Sequence, residues 1–262
     1  MNTDDAAFFR DWVRAYIARF YTGDDYVDMN VKLKEDHTRR VCENAGAIGA
    51  ELDISPGALL LAEVTALFHD IGRFEQFVRH RTFNDANSEN HARLAVRVLD
   101  EHRLLERLPA AERVIVTRAV RYHNVHTLPP DESSDVLFHS RLLRDADKLD
   151  IFFVVTDYHA KRHRTANPAV ELDLPDTPEY SPLIIEDIMN GRCTDGGNLR
   201  TYNDMKLFEL SWAFDINFRP TVRRLIDNRY IDKIIGVLPD TPEIRRVRRR
   251  ILRHVDAMLQ SA

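Results

Sequence analysis

Apolar residues recur at helical spacing along almost the whole chain. Phe8, Phe9, Trp12, Val13, Tyr16, Ile17 and Phe20 form one wide stripe and predict a first helix. The pattern predicts a second, long helix from about Val27 to Leu52. A third starts at Ser55-Pro56, a capping serine with proline in the first turn, and ends at His69-Asp70. Further helices are predicted over 88–102, 110–123, 134–163, 180–192, 203–228 and 241–260. Thr177-Pro178-Glu179 and Thr241-Pro242-Glu243 repeat the cap-then-proline start. No run alternates as a strand would, and there is no internal repeat, so the expected fold class is all-α. Two stretches break the rhythm: 164–182 with Pro168, Pro175, Pro178 and Pro182, and 191–198 with Gly191, Gly196 and Gly197. They are either a domain border or long loops over the cleft of one domain. We favour a single domain over 1–262, with a core of about 27–163 and a helical extension of about 178–262.

Six polar residues sit where that pattern calls for apolar ones. His37 precedes Val41, Ala45, Ile48 and Leu52 along one face. His69 follows Ala62 and Ala66, and Asp70 comes next. His91 leads to Ala95 and Val98, His123 follows Val116 and Val120, and Asp147 lies between Leu143 and Ile151. A lone histidine on an apolar face is more often a hydrogen-bonded core residue than a ligand. Taken together the six read differently, because burying so many imidazoles and carboxylates without partners costs several kcal/mol per group. A shared metal centre removes that cost. An adjacent pair such as His69-Asp70, pointing about 100° apart on a helix, can grip an ion from two directions, and its carboxylate can bridge to a second.

His37, then Phe68-His69-Asp70-Ile71-Gly72, then Ala146-Asp147-Lys148-Leu149, resembles the H…HD…D signature of the HD superfamily of metal-dependent phosphohydrolases. The resemblance runs from about Val31 to Asp150. The segment from Phe83-Asn84-Asp85 to Ser88-Glu89-Asn90-His91-Ala92 also resembles an uncharacterised bacterial branch of that superfamily. It implies an HD-domain-like helical bundle with an additional C-terminal helical region. It also implies that His37, His69, Asp70 and Asp147 hold one ion, with Asp70 bridging to a second held by His91 and His123. Asp145 and Asp150 compete with Asp147 for the ligand role; the resemblance selects Asp147, and helical phase places Asp150 close behind it. One departure stands out. HD-GYP phosphodiesterases carry a His-His pair where this chain has His123-Asn124, and their glycine-tyrosine-proline motif is missing, which argues against cyclic-dinucleotide cleavage by that route.

The chemistry implied is cleavage of a small phosphate ester, such as a nucleotide, by a metal-activated hydroxide. Asp70 would be the bridging catalytic group, and Lys148 and Arg73 the cations that meet the phosphate. The N/O donor set, free of thiolate, suits Mn²⁺, Fe²⁺, Co²⁺, Ni²⁺, Zn²⁺ or Mg²⁺, one ion or two. Arg40, Arg81, Arg121 and Arg144 are weaker candidates expected mostly at the surface. His80 and His126 could reach substrate but fit a loop or surface role better. Two other classes compete: an HD-type mixed-valent di-iron oxygenase, which uses a similar set of four His and two Asp, and a non-catalytic nucleotide sensor. The intact ligand set argues against the sensor.

Composition narrows the setting. Net charge is −5, which disfavours general nucleic-acid binding. The arginine run from Arg245 to Arg253 faces away from Ile244, Val247, Ile251, Val255 and Met258, and reads as an amphipathic packing helix before it reads as a polyanion site. Cys42 and Cys193 form no CxxC pattern and read as reduced thiols. No apolar stretch is long enough to span a bilayer, and the acidic start lacks a signal-peptide basic region, so the expectation is a cytoplasmic enzyme with no membrane partner. Oligomeric state is left open. Specificity would lie in loops near 79–90, 124–133 and 164–182.

Overall fold

The computed structural model describes residues 1–162 and 167–260, and among the described residues the regular structure is helical with no strand. Residue 163 of the helix predicted over 134–163, and 164–166 of the predicted break, lie outside the described residues. Chain contacts divide the protein into two compact units, Met1–Asp150 and Ile151–Ala262.

In the first unit the helices are α1 (Thr3–Ala18), α2 (Asp25–Glu51), α3 (Pro56–Phe68), α4 (Ile71–His80), α5 (His91–Glu101), α6 (Ala110–Tyr122) and the first part of α7 (Ser134–Lys161). Their starts follow local chemistry. Asp24 accepts from the amides of Tyr26 and Val27, Ser55 from Ala58, and Asn90 from Arg93, each satisfying a donor that a helix start leaves free. The apolar stripes then pack together: α3 lies against α1, α2 and α6, α4 against α2 and α5, and α5 against α6. Phe9, Phe68, Ile71, Phe74, Leu94, Leu99 and Val116 are almost fully buried in one core. Each such side chain contributes about 1.5–3 kcal/mol by leaving water.

The pattern reading missed α4. It follows α3 with no glycine, proline or capping serine between them, so no punctuation marks its start. Its stop is equally unmarked, since the C-cap residue Arg81 takes a left-handed conformation (φ 53°) usually given to glycine. Ile71, Gly72, Phe74, Gln76 and Phe77 are its buried face. Gly72 is required by a close approach: a Cβ there would lie 2.6 Å from the His91 carbonyl oxygen and 2.7 Å from the Ala95 amide nitrogen. The absent side chain lets α4 rest on the first turn of α5.

The second unit holds the end of α7, a short α8 (Pro168–Glu171), α9 (Pro182–Met189), α10 (Tyr202–Ser211), α11 (Arg219–Asp227), α12 (Tyr230–Ile235) and α13 (Pro242–Gln260). The long helix predicted over 203–228 is broken. A 3-10 turn at Trp212–Asp215 leads into extended backbone at Ile216 and Phe218, and Pro220 in the first turn of α11 cannot supply the amide that a continuous helix needs. Thr177-Pro178 also fails as a helix start: α9 begins at Ser181-Pro182 instead. Thr241-Pro242 holds, with the Thr241 hydroxyl accepting from Ile244. On α13 Ile244, Val247, Ile251 and Val255 are buried, and the helix packs against α9, α11 and α12. Three of its arginines meet local acids, Arg245 on Asp240, Arg246 on Glu243 and Arg248 on Asp232, in keeping with a packing helix. Among the described residues no helix is long and apolar enough to cross a membrane.

The α4–α5 contact is directly testable. Gly72→Ala should cost about 1–3 kcal/mol, because both clashing atoms are backbone and cannot swing aside. Urea denaturation followed by circular dichroism measures it; an unchanged midpoint would show that the two helices are not held this close.

Candidate metal centre

Helix ends and helix faces of the first unit bring the six residues together. His37 comes from the middle of α2 and Asp147 from α7. His69 is the C-cap of α3 and His123 the C-cap of α6, while His91 opens α5. Asp70 stands in the turn between α3 and α4, outside regular helix (φ −106°, ψ 14°), so the pair His69-Asp70 is not displayed on one helix as the pattern suggested. Asp70 occupies the N-cap position of α4 yet makes no side-chain capping bond. Both of its oxygens therefore face the imidazoles. His37, His69, Asp70, His91 and His123 are all buried.

Asp70 divides the imidazoles into two pairs. Its Oδ2 lies 3.6 Å from both His37 Nε2 and His69 Nε2. Its Oδ1 lies 3.6 Å from His91 Nε2 and 3.7 Å from His123 Nε2. Asp147 Oδ1 completes the first group, 3.2 Å from His37 Nε2 and 3.8 Å from His69 Nε2. Within the pairs the Nε2 atoms are 3.3 Å apart for His37 and His69, and 2.9 Å for His91 and His123. Donors about 2.1 Å from a common ion stand roughly 3.0–3.4 Å from one another in octahedral or tetrahedral geometry. Two groups, His37-His69-Asp70 and Asp70-His91-His123, thus have the spacing to hold a metal ion, and they share Asp70.

Each imidazole is also anchored from behind. His69 Nδ1 faces the Ala66 carbonyl at 2.7 Å, and His123 Nδ1 the Val120 carbonyl at 2.7 Å. These are acceptors left over at helix C-termini. His91 Nδ1 lies 2.7 Å from Asp85 Oδ2, and His37 Nδ1 lies 2.6 Å from Asp150 Oδ2. A carbonyl only accepts, so the ring nitrogen facing it carries the proton, and the Nε2 of the neutral ring is then a lone pair. The Nε2 lone pairs of His69 and His123 thus point into the cluster, where a cation would satisfy them, and a cation could likewise take the place of the proton through which His37 Nε2 meets Asp147. The donor chemistry fits a metal.

Cations and acids tune the cluster. Lys34 donates to Asp70 Oδ2 at 2.7 Å, and Arg73 Nε lies 3.5 Å from Asp70 Oδ1. Burial pushes the Asp70 carboxyl up, but Lys34 first, then the imidazoles and Arg73, hold it well below the usual carboxylate range. Asp147 is likewise lowered against its burial, chiefly by the bond from His37. Burial pushes His69 down to about 4 and His91 down to about 3, which keeps both rings neutral and able to ligate. His37 goes the other way: burial and Lys34 push it down, but its bonds to Asp147 and Asp150 outweigh them and raise it.

The remaining residues singled out from sequence fall in several places. Lys148 is buried beside Asp147 on α7. Arg73 Nη1 is held by the Phe83 carbonyl (2.7 Å), Gln76 (2.8 Å) and Asp85 (3.1 Å). Asn124 is turned toward Asp85 Oδ2 at 3.2 Å. Of the arginines expected at the surface, Arg81 and Arg121 are exposed, but two are not. Arg40 grips Asp150 through Nε (2.5 Å) and Nη2 (3.1 Å), and Arg144 is buried and donates to the carbonyls of Tyr122, His123 and Val125. His80 and His126 are exposed. Sequence reasoning missed Lys34, Asp85 and Gln76. Lys34 had a signal, since it precedes His37 by three residues and shares its face. Asp85 stood in the Phe83-Asn84-Asp85 segment that carries the resemblance, without a role assigned to it, and Gln76 had no signal; the folded loop is what gives both a role.

These shifts fix a pH dependence. An unfolded imidazole takes its proton near 6.5, whereas folded His69 and His91 resist it until about 4 and 3. Between those values the unfolded chain binds more protons, so stability is fully present above about pH 7 and is lost as pH falls through that window. The depressed carboxylates act in the same direction at lower pH; raised His37 alone opposes them. Thermal melts should therefore fall steadily from pH 6.5 to 4, while above pH 6.5 the raised His37 acts in the other direction and lowers stability as pH rises. A stability maximum below pH 5 would refute the assignment of neutral, buried imidazoles.

Comparison with known proteins places this geometry. Residues 35–152 match the family described as HD domain, a stretch that contains His37, His69, Asp70, His91, His123 and Asp147. No curated protein and no solved structure matches the chain. The family points to metal-dependent phosphohydrolase-type activity in general, and the two His/Asp groups accord with that. This stretch, a little under half of the chain, is what matches the HD domain.

Proposed function

We propose that this chain is a metal-dependent phosphohydrolase acting on a small phosphate ester such as a nucleotide. The observation that carries the reading is the position of Asp70, with one carboxylate oxygen toward His37 and His69 and the other toward His91 and His123. His37, His69, Asp70 and Asp147 would hold one divalent ion, and Asp70, His91 and His123 a second. The donors suit Mn²⁺, Fe²⁺, Co²⁺, Ni²⁺, Zn²⁺ or Mg²⁺. Such a pair, when bound, polarises a phosphoryl oxygen and lowers the pKa of a water.

The protein's own part is to orient and to compensate charge. Carbonyls and carboxylates behind the rings fix their direction, so the donors are in place before substrate arrives. Lys34 and Lys148 supply positive charge beside Asp70 and Asp147, where a phosphate would bring negative charge. Arg73 adds its charge next to Asp70 while its Nη1 secures the loop that carries Asp85. The second group has three protein donors against four in the first, so it leaves more positions for substrate oxygens.

A screen of phosphomonoesters, nucleotides and phosphodiesters with each metal should reveal metal-dependent phosphate release or diester cleavage without oxygen uptake. Asp70→Ala should abolish it and strip most of the metal, read by elemental analysis; full metal content and turnover in that variant would sink the proposal. Oxygen consumption by an iron-loaded sample, with no hydrolysis in any metal, would instead establish a di-iron oxygenase. Lys148→Ala should lower kcat/KM by about 10²-fold with metal content unchanged, if its charge acts on the phosphoryl group in the transition state. An equal loss of metal would make Lys148 a support of the site rather than a partner of the substrate.

A further inference from the structure

Asp85 lies outside the donor set and six residues before His91, on a 3-10 turn (Asp85–Asn87) in the loop that joins α4 to α5. Four side chains from three places converge on it. His91 Nδ1 lies 2.7 Å from Oδ2 and 2.9 Å from Oδ1. Gln76 Nε2 donates at 2.9 Å, Arg73 Nη1 at 3.1 Å and Asn124 Nδ2 at 3.2 Å. Gln76 is fully buried, and the same amide nitrogen also reaches the Ser88 hydroxyl and the Glu89 carbonyl, so the loop is tied to α4 at several points.

We infer that Asp85 is a positioning residue which holds His91 as a ligand and thereby decides whether the centre takes one ion or two; this rests on the two-ion reading above. The reason lies in what else is near His91 Nδ1. The other neighbour is the Asn124 amide nitrogen at 3.5 Å, which is a donor. With Asp85 present, Nδ1 carries the proton and Nε2 offers its lone pair to an ion. With Asp85 removed, Nδ1 is left facing a donor, and the favoured tautomer puts the proton on Nε2, which cannot then ligate. His69 and His123 are immune to such a change, because backbone carbonyls back them. His37 is backed by Asp150, itself fixed by Arg40. The second group alone depends on a loop carboxylate. This also gives Asn124 a role: it serves Asp85 instead of an ion.

The test is a calorimetric titration of Mn²⁺ into the full-length wild type, Asp85→Ala and Asp85→Asn, each first shown folded by circular dichroism. The wild type should take two ions. Both variants should keep the first affinity and bind the second about 10- to 100-fold more weakly, the usual cost of removing such a partner. In Asp85→Asn the three donors around residue 85 compete with His91 for the one remaining carbonyl oxygen. The ¹⁵N chemical shifts of His91 should move from the Nδ1-protonated to the Nε2-protonated pattern. In a His91→Ala background, adding Asp85→Ala should change metal binding no further, which a merely structural role would not predict. Two ions at wild-type affinity in both variants would overturn the assignment, as would equal weakening of both ions. A wild type that takes one ion overturns the two-ion reading, and this inference with it. Two ions with the expected loss of the second, but no hydrolysis of any substrate, would support Asp85 and overturn only the reaction.

Discussion

One buried carboxylate organises the first unit. Asp70 must face four imidazoles from a turn, and each helix packed nearby has to end, start or pass at the right place for that to happen. α3 stops one residue short of His69, α6 one residue short of His123, and α5 starts on His91. The arrangement turns helix termini to use. Free carbonyls at the ends of α3 and α6 accept the outer ring protons of His69 and His123, so groups that would otherwise need water orient the rings instead. Burying a carboxylate among rings would be costly if the contacts were partial. Here Lys34 and Arg73 offset the charge of Asp70, and every ring nitrogen that points outward has a partner.

Backbone proximity is the second requirement, and a glycine meets it. Asp70 and His91 approach because the start of α4 presses on the first turn of α5, with no room for a Cβ at residue 72. The phenylalanines on the buried face of α4 hold that contact in place. Phe74 and Phe77 are almost fully buried, and Phe77 packs against Phe83 with ring centroids 4.7 Å apart. The apolar core and the polar centre are thus coupled through one short helix.

That helix is also where the sequence was hardest to read. The long, strongly periodic helices α1, α2, α3, α5, α6 and α13 were legible because their apolar stripes and caps agree. α4 was not, because both of its boundaries are set by tertiary contacts and by a left-handed arginine instead of a glycine. The break after α10 was marked by Pro220, but apolar residues on either side of it masked the interruption. At the centre, His37, His69, Asp70, His91, His123 and Asp147 were readable as polar residues out of place on apolar faces, and the structure brings all six within one cluster. Their supports were not. Asp150 could be placed by helical phase, yet Asp85 and Gln76 belong to a loop whose path no local pattern specifies.

The difference in legibility matches a difference in construction. The group around His37 and His69 is carried by the middle of α2, by α7 and by the end of α3, and its one side-chain support, Asp150, is locked by Arg40 and nearly inaccessible to water. The group around His91 depends on a turn whose aspartate is a quarter exposed and whose hold on α4 runs through Gln76 and Arg73. Ring orientation within a helix is paid for by the whole core, whereas orientation from a loop is paid for by a few hydrogen bonds worth about 0.5–1.5 kcal/mol each. The first group is therefore fixed by the fold itself. The second is set by a few hydrogen bonds from a loop, so its geometry depends on local chemistry more than on the helical core.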